Sequence, residues 1–369
     1  MINIPLIKPY INDEIKKAVY DVLESGYLTE GPITKEFETV FKEYIGCNYA
    51  IAVTSCTTGL EIALRALEIG PGDEVIVPDY TYPATAAVIS IVGAKAVIVD
   101  IEKESMLISC QQIERAITKN TKAIMPVSIF GNPLDYSKLN KIKEKYGLFI
   151  IEDAACSIGA EYSGIRVGNQ ADISVFSLHP RKFITTGEGG MITTNNTLWA
   201  NWMNSYKHFG MDMNNSSRSG IQFDIIGTNY KLSNVLSAIG LGQMQIINDL
   251  LTKRIELAKN YTKLLIDQDN IILPSTIENG KHSYQSFCIY VENRDYIIEM
   301  MRKKGIEVQI GSYALHMHKA FRNNANIKLI GEYVNSKYAF DHCLVLPLFH
   351  TLSFNDQDFI IDCLTRIPG

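Results

Sequence analysis

No apolar run in this 369-residue sequence reaches the ~20 residues that a membrane-spanning helix needs. The longest, residues 85–101, is broken by Gly93 and Lys95, so a bilayer-spanning protein is not expected. The first residues, Met1-Ile-Asn-Ile-Pro-Leu-Ile-Lys8, lack the basic start, long apolar centre and small-residue cleavage site of an export leader. Positive charge is not in excess. Thirty-five Lys and Arg stand against 40 Asp and Glu, a net charge of −5, which argues against a bulk nucleic-acid or anionic-membrane binder. The seven cysteines (Cys47, Cys56, Cys110, Cys156, Cys288, Cys343 and Cys363) are odd in number and form no C-x-x-C pair. That arrangement speaks against a zinc knuckle; no metal site is expected, and the protein reads as cytoplasmic. Internal repeats, heptads and low-complexity tracts are absent as well.

What is present is ample material for a core, with 46% hydrophobic and 20% charged residues. At roughly 150 residues per domain the length suits two domains. Short β-rich apolar runs are expected as strands at 74–78, 96–100, 122–126, 148–153, 172–176 and 191–194. Most lack polar alternation, so both faces of their sheet should be covered by helices. Helical spacing places helices at 35–45, stopped by Gly46, at 57–69, followed by Gly70-Pro71-Gly72, and at 137–146, stopped by Gly147. A long helical pattern from 243 to 265, a strand at 286–291 and a helix at 295–304 follow. The fold class is therefore α/β, a large domain (1–248) with a mostly parallel central sheet and a smaller C-terminal α/β domain (249–369). The polar stretch 211–220 reads as the most mobile loop.

Asp153 follows Phe149-Ile-Ile at the expected C-terminal end of a strand, the edge where open α/β sheets place ligands. It either caps the helix after it or serves as a site carboxylate. Lys182 lies between a strand end and the glycine-rich Thr185-Thr-Gly-Glu-Gly-Gly190. A lysine of depressed pKa can bind a carbonyl cofactor, and a carboxylate facing a pyridine nitrogen keeps that ring protonated. Asp153 with Lys182 thus suits pyridoxal 5′-phosphate. Ser55-Cys56-Thr57-Thr58 at a helix start offers hydroxyls and free N–H groups either for capping or for a phosphate, and Ser177 could add a hydroxyl. Tyr82, just past a strand end, reads either as core or as a ring that stacks on the cofactor. His179 and Glu188 fit structural roles as well as chemical ones.

These residues resemble the DegT/StrS-type sugar aminotransferases, pyridoxal-phosphate enzymes of the aspartate-aminotransferase fold. The likeness covers most of the chain. It rests on Gly26-Tyr27-Leu-Thr29-Glu-Gly31-Pro32, Thr54-Ser55-Cys-Thr57, residues 78–87, Pro126-Val-Ser-Ile-Phe-Gly131-Asn-Pro and Gly227-Thr-Asn229-Tyr-Lys-Leu. The densest part runs from Glu152 to Gly190 and includes S-x-x-x-x-K-x-x-T-x-G-E-G-G. The resemblance implies that Lys182 forms the Schiff base, Asp153 pairs with the pyridine nitrogen and Tyr82 stacks on the ring. It puts Ser55, Cys56, Thr57, Ser177 and a partner chain's Asn229 around the phosphate, in a homodimer with shared active sites. Cys156 stands where the family usually has a Gln that contacts the ring hydroxyl, and Lys231 where Arg is common. Tyr27, Thr29, His179, Tyr313 and His316 are acceptor contacts by the same likeness. The implied reaction moves an amino group, with L-glutamate as donor, to a nucleotide-linked keto-deoxysugar. A cyclitol ketone, a small phosphorylated ketone, a sugar dehydratase and a non-catalytic regulator are the alternatives.

Overall fold

The structure, a computed structural model, describes residues 4–212 and 222–367. Past Asp212, the polar stretch 211–220 lies outside the described residues. An eight-stranded sheet dominates, in the spatial order Tyr49–Val53, Gly190–Thr194, Ile173–Ser177, Phe149–Asp153, Thr121–Ile124, Glu74–Pro78, Lys95–Val99 and Ile327–Leu329. Gly190–Thr194 is antiparallel to both its neighbours, and the other adjacent pairs are parallel. Successive side chains point to opposite faces of a strand, and here both faces are covered. Val75 and Val77 join a core with Leu60, Ala63 and Val88, while Ile76 joins the opposite core with Leu139 and Tyr136. That double covering is why the strands read as unbroken apolar runs.

Helix ends follow local chemistry. Pro32–Ile45 starts three residues before the expected position because Gly31 and Pro32 form its N-cap and first turn. Cys56–Ala66 stops three residues before the expected end. The chain turns there through Glu68 at φ +56°, and the Ile69 N–H returns to the Leu64 carbonyl at 3.0 Å. The continuous pattern at 243–265 is in fact the end of one helix, Asn234–Met244, followed by a second, Ile247–Leu265.

A second sheet, in the order Ile271–Ile272, Phe287–Val291, Cys343–Leu346 and Gln309–Ile310, packs its own core against Ile247–Leu265 and Phe354–Thr365. The chain's start belongs with this lobe, since Ile4 donates to the Gly305 carbonyl at 3.0 Å and accepts from the Glu307 N–H at 2.9 Å. Two later segments cross back: Ile327–Leu329 adds the outer strand of the large sheet, and Tyr313–Ala314 pairs with Tyr80–Thr81. No helix among the described residues is long and apolar enough to cross a membrane.

Candidate active site

Sheet register gathers the sequence-selected residues at one end. Val53, Gly190 and Ser177 share a rung, and Asp153 pairs with Val175 two residues away from Ser177. Two residues beyond Val53, Ser55 caps the helix Cys56–Ala66, accepting from the Thr58 N–H at 3.1 Å while Thr58 Oγ1 accepts from the Ser55 N–H at 3.1 Å. Thr57 is exposed beside it. The approach of sheet and helix start depends on Gly190: a Cβ there would lie 2.5 Å from the Ser55 carbonyl carbon and 2.7 Å from the Cys56 nitrogen. The remaining N–H groups of this first turn and the positive end of the helix dipole suit a phosphate.

Asp153 is buried, and its carboxylate is held from three sides. Thr85 Oγ1 donates to Oδ2 at 2.7 Å, the Ala155 N–H donates to Oδ1 at 3.2 Å, and the Cys56 thiol lies 3.9 Å from Oδ1. Burial pushes the Asp153 pKa up, against the pull of Thr85, Ala155 and the Lys182 charge. Cys56 thus turns its side chain under the carboxylate, and only its backbone faces the helix start; burial pushes its thiol well above the ordinary value. Thr85 was not singled out by the sequence. Its only signal is a hydroxyl in the helix after Tyr82, which a buried threonine of no consequence would also show. Thr81 supports it, with hydroxyls 2.9 Å apart. Replacing Thr85 by Val removes a charge-assisted bond at constant shape, which costs about 1.5–3 kcal/mol. The expected result is cofactor affinity weakened about 10- to 100-fold in an equilibrium titration, with the cofactor-free chain destabilised by the same lost bond.

Lys182 Nζ lies 3.1 Å from the Cys156 sulfur. Burial pulls the amine down, but the contact with Cys156 and the nearby Asp153 outweigh it, and the pKa is raised. The depressed amine expected from the sequence is therefore not the state of the cofactor-free chain. Ser177 Oγ accepts from the His179 N–H at 3.4 Å. His179 in turn accepts from the Arg181 N–H at 3.2 Å and points Nε2 at Glu188, 3.9 Å away.

Tyr82 is 66% exposed and meets Tyr313 edge-to-face, with ring centroids 6.2 Å apart, so the fold joins two residues 231 positions apart. His316 is already engaged. Its Nδ1 is 2.6 Å from Asp79 Oδ2, its N–H donates to Asp79 Oδ1 at 2.7 Å, and its ring stacks on Tyr333. Tyr27 and Thr29 are exposed on a segment whose Tyr27, Leu28 and Thr29 carbonyls accept from Asn234. Asn229 is exposed, accepts from Lys231 Nζ at 2.5 Å, and sits on a loop tied to the phosphate-side strand by a Val53–Lys231 bridge.

A buried carboxylate, a lysine and a capped helix start at one end of a mostly parallel sheet suit pyridoxal phosphate, the cofactor of fold type I enzymes. The chain belongs to the DegT/DnrJ/EryC1/StrS aminotransferase family, whose model matches residues 9–365. It is 34% identical over 376 residues to MJ1066 of Methanocaldococcus jannaschii, covering 99% of this chain and 97% of that protein. Among solved structures it is similar to the sugar aminotransferase Spr1654 of Streptococcus pneumoniae in its PMP form (29% identity, 98% of each chain, TM-score 0.92). It is also similar to DesV of S. venezuelae in complex with a ketimine intermediate (28% identity, 100% of each chain, TM-score 0.91). Spr1654 is also known in a PLP form. The chain is accordingly a pyridoxal-phosphate-dependent aminotransferase.

Proposed function

We propose that this enzyme transfers the amino group of L-glutamate to a keto group of a nucleotide-linked deoxysugar, working as a homodimer in the cytoplasm. The observation that carries the reading is that Lys182 Nζ, 3.1 Å from the Cys156 sulfur, lies within electrostatic reach of the buried Asp153 at the sheet end, beside the capped start of Cys56–Ala66. When bound there, pyridoxal phosphate supplies a carbonyl and an electron sink. Asp153 holds a proton at the ring nitrogen, and Thr85 fixes the carboxylate that does so. With its charge so engaged, Asp153 pulls less on the Lys182 ammonium, and the neutral amine becomes accessible. Lys182 Nζ would then serve as the base that takes the proton from the donor Cα and as the acid that delivers it to the exocyclic carbon of the cofactor. Ser55, Thr57 and Ser177 hold the phosphate, with Asn229 of the partner subunit reaching across.

The sugar acceptor is supported by the likeness to Spr1654 and by the exposed Tyr82–Tyr313 pair, a surface for a flat or ring-shaped substrate. The test is a half-reaction. Excess L-glutamate should release one 2-oxoglutarate per site and leave the cofactor as its amine, which nucleotide-linked ketosugars then reoxidise. Release of 2-oxoglutarate with no response to any such sugar, but with turnover of cyclitol or small phosphorylated ketones, would move the acceptor class. Tyr313→Ala should raise the acceptor KM about 10-fold and leave the glutamate half-reaction within about 2-fold, because its ring packs on Tyr82 and not on Lys182, whose one hydrogen-bond partner among the described residues is Cys156.

A further inference from the structure

The loop that carries Lys182 lies between the strands Ile173–Ser177 and Gly190–Thr194, outside any regular element, so its peptide groups need partners from elsewhere. Two glutamine side chains supply them. Gln285 Oε1 accepts from the Phe183 N–H at 2.7 Å, and Gln285 Nε2 donates to the Arg181 carbonyl at 2.8 Å. One carboxamide thus grips the residues on both sides of Lys182. Gln243 repeats the pattern at Thr185, accepting from its N–H at 3.0 Å and donating to its carbonyl at 2.7 Å. Both glutamines are buried.

Gln285 is itself held. Arg254, buried without a carboxylate partner among its contacts, donates to the Gln285 carbonyl at 2.7 Å, to the Leu348 carbonyl at 3.0 Å and to the Tyr284 carbonyl. From the other side Gly131 presses close. At φ +98° it comes near enough that a Cβ would lie 2.9 Å from the Gln285 nitrogen, and its carbonyl accepts from the Ser283 N–H at 3.0 Å. Gln285 lies two residues before the strand Phe287–Val291 of the second sheet, whereas Gln243 sits on Asn234–Met244. The two therefore grip the loop from separate elements.

We propose that Gln285, with Gln243, is a positioning residue that sets the aim of Lys182 Nζ by clamping the peptides around it. The inference rests on the aminotransferase role given to Lys182 above. A lysine side chain turns on several single bonds, so its reach is useful only if its own Cα is stationary. Misplacement of a reacting group by about 1 Å costs on the order of 100-fold in rate.

The test uses Gln285→Met, which removes both hydrogen bonds at similar volume, and Gln285→Glu, which keeps the acceptor for Phe183 and loses the donor to Arg181. In the cofactor-free full chain, hydrogen exchange in a peptide spanning 178–188 should accelerate about 10-fold in the Met variant, less in the Glu variant, and stay unchanged in the second sheet. In the loaded enzyme, the single-turnover rate of the donor half-reaction should fall about 10- to 100-fold while donor KM moves less than about 2-fold. If Gln285→Met does not fold, Gln243→Met poses the same question from the other element. Unchanged exchange in that peptide overturns the proposal, as does acceleration spread evenly over the chain, or a raised KM at unchanged rate. Failure of the aminotransferase reading looks different: the unaltered enzyme would then turn over no amino donor, whatever the exchange data show.

Discussion

Lys182→Ala should abolish amino transfer, with turnover falling by about 10⁴-fold or more, because in the proposed reading this amine, whose charge Asp153 feels, is both the covalent anchor and the proton carrier. The remaining contacts predict that the cofactor still binds. Ser55 still caps Cys56–Ala66, Asp153 still has Thr85 and the Ala155 N–H, and Tyr82 is still exposed. The variant should therefore take up pyridoxal phosphate reversibly, without the visible band of a covalently held cofactor, and lose it on dialysis. Circular dichroism should match the parent, since Lys182 Nζ has Cys156 as its single hydrogen-bond partner among the described residues. Retained turnover in this variant would place the chemistry on another amine and refute the assignment.

Lys207→Ala should give the largest loss of stability, about 3–5 kcal/mol, read as a shift of denaturation midpoint at constant m value. Lys207 is fully buried, with Nζ 3.1 Å from both Glu30 and Glu38 and 3.0 Å from the Ala52 carbonyl. Removing it strands two buried carboxylates with no buried ammonium between them, leaving Glu38 the half-exposed Lys35 Nζ at 2.9 Å and Glu30 only His208 at 3.0 Å and the same Lys35 at 3.8 Å. Glu30→Gln placed on top should recover part of the loss, since it removes one of those stranded charges. The same network sets an acid limit. Burial pushes the Glu30 carboxyl up, but His208 at 3.0 Å and the Lys207 charge outweigh it and bring its pKa down to about 2. A lowered carboxylate contributes its stability in full above the unfolded value of about 4.5 and loses it as pH falls toward about 2. Denaturation curves between pH 5 and pH 2 should therefore converge for the parent and a Glu30→Gln variant. The network also borders residues proposed for the site: Glu30 directly follows Tyr27–Thr29, and His208 bridges to Asn229.

The legible part of the site was its skeleton. Asp153 could be placed because Phe149-Ile-Ile reads as a buried strand and a carboxylate at its end lies at the ligand edge of such a sheet. Ser55 and Lys182 could be placed because a capping hydroxyl and a glycine-rich turn are local signals. The unread part is long-range. Thr85 lies 68 positions from Asp153, Gln285 lies 102 from Phe183, and Glu38 lies 169 from Lys207. A hydrogen bond between distant side chains leaves no period and no composition shift in the sequence. The short strands after residue 305, such as Gln309–Ile310 and Tyr313–Ala314, were unread for a related reason: two residues carry too little propensity, and pairing with a neighbour makes them strands.

Local patterning was therefore enough for the α/β architecture and the parallel sheet covered on both faces, and it picked out the lysine and the carboxylate proposed for the site. Periodicity and capping act over a few residues, and those features depend on nothing longer. Tertiary structure alone assigned the partners: Cys156 on Lys182, the Cys56 thiol under Asp153, His316 spent on Asp79, and two glutamines holding the lysine loop. A buried polar group must find a partner wherever the folded chain brings one, and that meeting exists only once the core has closed around it.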